Sequence, residues 1–489
     1  MATASKMSRS GFFDRLKSAF SSPSNYAEVE LRDEYTLVGE AIRVPISGQA
    51  LKLTLGAGKE SRTLHLVPEK FIGDVGRLEF PAFLLLDPDT FYTQINGFIR
   101  LAKGDHLIIG REDDLQQAMF RLPKGVRKRH LSIVHDGDAL LLKDLDETSG
   151  TMLETIPDPG GNDRLTARRS TILQEIRTIF GGPIQLLPPD AALHDLIEVN
   201  RILEKEPLRP HNDRGMPGGV VNLPKKMIPI ILGDLHAQID NLLTLLSQNE
   251  FIEMMGDGKA AMVFLGDAVH SEEDDHLEEM ESSLLMMDLI FRLKLWFPQQ
   301  VFYIRGNHDS FSDEIGKCGV PQGLLWAKTL RDLRGQTYLD AMKHFYELLP
   351  YVALSKGYVA CHAAPPRGKV SMDMLVNIEK YPGLIQELIC NRLYRPNRPA
   401  GYKGSDVKRF RRTLHLDEDA ELFVGHTPLT RHDTLWINVG GIEHHDVVFS
   451  ANKPWIGVFT RVGNRMIPLQ YRAEELLPVI NALEDVPEV

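Results

Sequence analysis

Over the first third of the chain, apolar and polar residues alternate in short runs. Leu51-Lys52-Leu53-Thr54-Leu55, Phe98-Ile99-Arg100-Leu101 and His130-Leu131-Ser132-Ile133-Val134 each send every second side chain to one face, the pattern of a half-buried strand. Gly56-Ala57-Gly58, Asp136-Gly137-Asp138 and Gly160-Gly161 punctuate them. Many short strands between glycine turns predict an all-β sandwich over residues 31–190. Within it, residues 31–94 read no further than β-rich, with a separate small domain as one arrangement. Near residue 226 the texture changes. Apolar runs at 228–232, 261–265, 301–304, 358–360 and 422–424 alternate with helical periodicity, as at 284–297 and 338–349. Strand–helix alternation predicts α/β layers over residues 226–480. The stretch 191–225, one short helix followed by the polar run His211–Gly219, reads as an interdomain linker.

Composition changes this picture little. A net charge of −11 gives no chain-wide attraction to nucleic acid or an acidic membrane, so an anionic substrate must be drawn by a local site. Cys318, Cys361 and Cys390 have no C-x-x-C spacing, which argues against a disulfide framework or a zinc ribbon. A reducing, cytoplasmic compartment suits them. No apolar run reaches the length of a membrane span. Residues 1–30 are read as a flexible tail. Phe12, Phe13, Leu16, Ala19 and Phe20 fall on one helical face there, so docking of an amphipathic helix on a membrane surface is the less favoured reading.

The five apolar runs each end in chemistry: Gly233-Asp234-Leu235-His236, Gly266-Asp267, Arg305-Gly306-Asn307-His308-Asp309, Cys361-His362 and Gly425-His426-Thr427. In α/β sheets, ligands collect beyond the carboxyl ends of strands. Carboxylate oxygen combined with imidazole nitrogen suits a pair of divalent transition metals, Mn, Fe or Zn, better than Ca or Mg. A short Asp is a natural bridge between two such cations, which clamp phosphoryl oxygens and lower the pKa of a shared water.

These blocks resemble the signatures of calcineurin-like metallophosphoesterases. Gly233–Gln238, Ile304–His308 and the passage from Phe345–Pro350 to Cys361-His362-Ala363-Ala364 look like the phosphoprotein phosphatase branch, the serine/threonine protein phosphatases. The resemblance implies a β-sandwich flanked by helices over about residues 226–475. It implies two divalent metal ions, one held by Asp234, His236 and bridging Asp267, the other by Asp267, Asn307, His362 and His426. His308 would be the general acid, with Arg305 beside the site. Arg398, with Arg395 as rival, would grip the phosphate. The chain departs from the family's second block: His270 stands where an aspartate orients the general acid, and Ser271 replaces a phosphate-binding arginine. Ala237, Ala363 and Ala364 replace glycines. The acids that follow, from Glu272 onward, read as a solvated helix start or as a substitute carboxylate for His308.

Farther upstream, Gly110-Arg111, Arg127-Lys128-Arg129-His130 and Asp144–Thr151 resemble a forkhead-associated (FHA) domain with its core at about 95–185. That resemblance makes Arg111, Arg127, Thr148 and Ser149 phosphopeptide-binding residues and His130 a loop support. Arg127 and Ser149 depart from the usual Ser and Asn. The leading expectation is a phosphoserine or phosphothreonine protein phosphatase that uses a bimetal-activated hydroxide and is delivered to phosphothreonine proteins by an FHA-like domain. A dinucleoside polyphosphate or other small-molecule phosphoesterase, and an inactive metal-binding scaffold, are the alternatives.

Overall fold

The computed structural model describes residues 26–483 except 30, 32–33, 47, 69–70, 73–77, 80–81, 92–97, 147, 149, 157–160, 249, 397–398, 431–432 and 452–454. The amphipathic pattern of the first 25 residues lies outside them. The chain divides into two compact units, residues 1–88 with 100–162 and residues 89–99 with 163–489.

The first unit is built on two sheets. One runs Ala27–Glu28, Ala41–Pro45, Ala139–Asp144, Leu131–His135, His106–Ile109; the other runs Glu34–Leu37, Thr151–Ile156, Ala50–Leu55, Arg62–Pro68, Ala82–Leu86, Phe98–Ala102. Period-two patterning sets the register: Leu51, Leu53 and Leu55 are buried while Lys52 and Thr54 are half-exposed. Ala41–Pro45 pairs with Ala139–Asp144, and Ala50–Leu55 with Thr151–Ile156. The strands at 34–37, 41–45, 50–55, 62–68 and 82–86 therefore share sheets with those after 130, and residues 31–94 do not form a separate domain.

The β-rich reading fails at its C-terminal end. Gly161–Phe180 is a helix of 20 residues, with Ile172, Ile176 and Ile179 buried at a spacing of three or four that marks a helical face. The expected linker at 191–225 is also a correction, because it is built into the second unit. Pro189–Leu203 is a helix burying Ala192, Leu196, Val199 and Leu203, and Asn200 Nδ2 donates to Ala341 O at 2.9 Å. Val220–Asn222 is an edge strand paired with Val352–Ser355. The polar segment between them is ordered by buried Arg209, which donates to the carbonyls of Pro217, Gly218 and Leu348 and so satisfies backbone that patterning alone leaves looking loose.

The second unit holds a six-stranded sheet, Val220–Asn222, Val352–Ser355, Tyr358–Cys361, Glu421–Val424, His445–Val448, Leu435–Trp436. It also holds a five-stranded one, Val301–Tyr303, Ala260–Phe264, Ile228–Leu232, Trp455–Val462, Arg465–Arg472. Val221, Ala353, Ala360 and Phe423 of the first sheet share one core with Ile231, Val263, Phe302 and Phe459 of the second, so the two sheets pack face to face. Alternate residues of the first sheet, Val220, Val352, Val359, Leu422 and Val424, join Leu388, Val407 and Phe410 of its outer helices. The inner strands are buried on both sides, which explains the continuous apolar runs.

Candidate metal centre

Ile228–Leu232, Ala260–Phe264 and Val301–Tyr303 run parallel, as do Tyr358–Cys361 and Glu421–Val424. Their carboxyl ends meet, and the chain turns sharply to aim side chains inward. His236, Asp267, His270 and His426 all take left-handed backbone, with φ of 43°, 52°, 68° and 63°, which costs non-glycine residues energy and is concentrated at functional sites.

Two donor sets result: Asp234, His236 and Asp267; Asp267, His362 and His426. All are buried, and within each set one ligand atom per residue lies within 4.8 Å of the others. Asp234 accepts His426 N through both oxygens, at 3.0 and 3.1 Å. Asp267 Oδ1 accepts His308 N at 2.7 Å, and its Oδ2 lies 3.2 Å from His362 Nε2. Asn307 Oδ1 is 3.0 Å from His362 Nε2, and His426 Nδ1 is 3.2 Å from the same nitrogen. His236 and His362 spend Nδ1 on the carbonyls of His270 and Leu265, at 3.0 and 2.7 Å. Those bonds turn both Nε2 atoms to the centre, the usual way of orienting an imidazole ligand. All six expected ligands are thus brought together.

The electrostatics fit a cation. Burial lowers the pKa of His236, but Asp234, Glu272 and Asp267 outweigh it and raise it to about 9; Asp267 and Asp234 do the same for His362, also to about 9. Asp267 is driven below the usual carboxylate range: burial opposes this, and the charges of His362, His308 and His236 prevail. The buried carboxylates thus favour positive charge beside them, which a divalent cation would supply. His426 is held well below the ordinary imidazole value by burial and by the charges of His362 and Arg392, which keeps the ring neutral with a lone pair to offer, and the nitrogen it turns to the centre is Nδ1.

Around this centre the other expected residues separate. His308 Nδ1 lies 3.1 Å from His270 Nδ1. His270 is fully buried, its backbone N–H donates to Ser283 Oγ at 2.9 Å, and its Nε2 has no partner. A buried N–H without acceptor costs more than a bare lone pair. The His270 proton therefore belongs on Nδ1, which leaves His308 its own proton on Nε2. Arg305 is turned away: its Nη1 donates to Tyr346 O at 3.1 Å and to the Tyr351 hydroxyl at 3.3 Å, a bracing arrangement rather than a substrate-facing one. Arg398 lies outside the described residues, and Arg395 is exposed.

Three further residues stand at the centre, of which the sequence reading missed Arg392 altogether, quoted Asp309 without a role and offered Glu272 only as a substitute carboxylate for His308. Arg392 Nη1 donates to Thr427 Oγ1 at 3.2 Å, beside His426, and its charge reaches that imidazole. Asp309 is buried and accepts from Gly306 N at 2.7 Å, Asp267 N at 3.3 Å and the Tyr303 hydroxyl at 2.8 Å, bracing the turn that presents Asp267. Glu272 reaches within 3.7 Å of His236 Nε2. Asp309 was legible as the last letter of its block and Glu272 as the first of the acids that follow Ser271; Arg392 follows no motif.

In the first unit, Arg111, Arg127 and Thr148 occupy neighbouring loops. Arg111 Nε donates to Val126 O at 2.5 Å, and Arg127 Nη2 to Thr148 Oγ1 at 2.8 Å. The Thr148 hydroxyl donates to Asp146 at 2.6 Å, and His130 Nε2 is 2.9 Å from Gly150 O. Ser149 lies outside the described residues. Cys318, Cys361 and Cys390 are free thiols. No described helix is long and apolar enough to cross a membrane.

Residues 229–451 match the calcineurin-like phosphoesterase family. A stretch of 80 residues is 39% identical to the serine/threonine-protein phosphatase 4 catalytic subunit of Eremothecium gossypii and 38% identical to that of Candida glabrata. Each match covers 16% of this chain and 22% of the relative, so the chain spans about a fifth of the length of these curated proteins. Among solved structures, a Saccharomyces cerevisiae serine/threonine phosphatase with similarity to human PP5 is 18% identical with a TM-score of 0.44, over 59% of this chain and 91% of that one.

Proposed function

From the premise that residues 229–451 form a calcineurin-like phosphoesterase domain, whose family works with two divalent metals, we propose that this chain hydrolyses phosphoserine and phosphothreonine monoesters of proteins. The observation that carries the reading is the pair of buried donor sets sharing Asp267. Asp234, His236 and Asp267 would hold one cation, and Asp267, Asn307, His362 and His426 the other. When bound, the pair supplies Lewis-acid charge and a water of lowered pKa. Arg392, beside Thr427 and His426, grips the phosphate oxygens. His308 holds a proton on Nε2 and gives it to the leaving alkoxide. His270 keeps that proton in place by donating to His308 Nδ1.

A second reading, a small-molecule phosphoester as substrate, is favoured by Ser271 in place of an arginine and by the carboxylate of Glu272 beside the centre. Both weaken the grip on a dianionic phosphate. The test is hydrolysis of an aryl phosphate and a phosphothreonine peptide with Mn(II), comparing the intact protein with Asp267→Asn. Activity on both, lost in the variant, supports the protein phosphatase. Activity on the aryl phosphate alone moves the reading to small substrates. Inactivity of folded, metal-loaded protein overturns the enzyme.

Delivery by the first unit belongs to the same proposal. Arg111, Arg127 and Thr148 would receive a phosphothreonine in the manner of an FHA domain, raising the local substrate concentration. Three free thiols suit a cytoplasmic site of action.

A further inference from the structure

On the side of the six-stranded sheet away from the metal centre, the second unit forms a cavity of about 400 Å³. That volume lies inside the range of small-molecule sites, roughly 300–1,000 Å³. Strand direction fixes its place. Glu421–Val424 and His445–Val448 run parallel, and their carboxyl ends lead to His426 and to the bridge between Phe449 and Asp234. The cavity is lined by Glu418 and Asp419, just before the first strand, and by Glu443, just before the second. The length of a strand therefore separates it from the metal centre.

Three kinds of side chain meet there. The helix Gly404–Thr413 supplies the cations Lys408, Arg411 and Arg412. The segments that lead into the two strands supply the acids Glu418, Asp419 and Glu443, and Leu416 and Ile442 add apolar surface. Among the described residues no ion pair joins these cations to these acids; the pairs formed nearby are Arg409 with Asp406 and His444 with Glu421. Arg411 holds the walls together. It is 4% exposed, and it donates through Nη1 to Glu418 O at 3.3 Å and through Nη2 to the carbonyls of Glu443 and His444, at 3.0 and 2.6 Å. Its Nε is buried without a partner, and a buried donor left so is costly. An acceptor in the cavity would relieve that cost.

We propose that this cavity binds a nucleoside monophosphate. Ammonium and guanidinium groups are donors for phosphate. Carboxylates accept from ribose hydroxyls, as an acidic residue does in dinucleotide sites. Apolar side chains cover a base. Each part of the lining thus has its match in one ligand, whereas a bare anion would leave three acids facing its charge. The site makes no use of the metal ligands, so it stands apart from the phosphatase reading.

Calorimetric titration of the full chain in EDTA, with no metal to hold a nucleotide at Asp267, tests this. The probes are AMP, GMP, CMP and UMP, with the matching nucleosides, ribose 5-phosphate and inorganic phosphate beside them. At least one nucleotide binds at one per chain, and its nucleoside and ribose 5-phosphate bind at least about tenfold more weakly, since each lacks one matched part. Lys408→Glu and Arg412→Glu, both at exposed positions, each weaken the nucleotide at least about tenfold, the usual worth of a charge-assisted hydrogen bond. Lys328→Glu, the same change of charge at an exposed position of the helix Gln322–Arg334, leaves binding unchanged, and so does Asp267→Asn. Inorganic phosphate or ribose 5-phosphate binding as tightly as the best nucleotide overturns the proposal, because any anion then suffices. Loss of binding in Asp267→Asn overturns it by placing the nucleotide at the metal centre. Unchanged affinity in Lys408→Glu and Arg412→Glu, equal weakening by Lys328→Glu, or no nucleotide bound at millimolar concentration does the same.

Discussion

His308 depends on one neighbour for its tautomer. With His270 as donor at 3.1 Å, the proton on His308 Nε2 is available at the centre, and the group behind Nδ1 is an imidazole where a carboxylate would better stabilise an imidazolium. His308→Asn is expected to lower kcat by roughly 10²–10⁴-fold, the usual worth of a general acid. Mn(II) stoichiometry should be unchanged, because the side chain is in neither donor set. Loss of metal along with activity would assign His308 to the ligand shell. At this scale the metal residues were legible, since each follows the end of a strand by one to four residues. The arginines were not. A long flexible side chain reaches a site from many backbone positions: spacing pointed to Arg398, which lies outside the described residues, and gave no sign of Arg392, the guanidinium beside His426. Arg305 sits in the most recognisable block of all, yet it turns toward Tyr346 and Tyr351.

Between strand and ligand two of the turns, at Gly306 and Gly425, bring the backbone against a carboxylate. At Gly425 a Cβ would lie 2.2 Å from Asp234 Oδ1, closer than any real contact. Gly425→Ala is expected to displace Asp234 and weaken Mn(II) binding by more than about tenfold, a loss comparable to that of a supporting ligand contact. Gly368→Ala, where a Cβ meets nothing within 4 Å, should bind Mn(II) as the wild type does. Calorimetric titration of the two variants decides it. The elements of the second unit were readable because strands buried on both faces are apolar throughout. Gly161–Phe180 was missed because its burial is carried by a few isoleucines amid polar residues, a face that only a helical period reveals.

Across the second unit, stability should carry a pH signature away from the metal. Asp446 is buried, and its pKa is raised to about 7, by burial first and then by Glu421, against the Asn438 N–H bond. An unfolded aspartate titrates near about 3.9, so the folded state holds this proton to higher pH. That stability is fully present below about pH 4 and is lost as pH rises to about 7. Asp446→Asn can keep an acceptor for Asn438 N, now 2.9 Å away, without the ionisation. The difference in Tm, variant minus wild type, should therefore grow between pH 5 and pH 8 in thermal denaturation. A difference that stays flat across this range would show that Asp446 ionises in the folded protein without cost.

Local sequence determined what local physics controls: which runs form strands and where each turns into a short, stiff ligand. That was enough to assemble six donors and to expect two metals. Tertiary structure alone decided three things. It placed Glu272 and Arg392 at the centre, because their reach depends on how loops far apart in sequence are tied down. It drew residues 163–225 into the second unit, because the burial of Arg209 and of the helix faces needs partners elsewhere in the chain. It joined residues 34–86 to strands a hundred positions later, because strand pairing is chosen by the sheet and leaves no trace in the pattern of either strand.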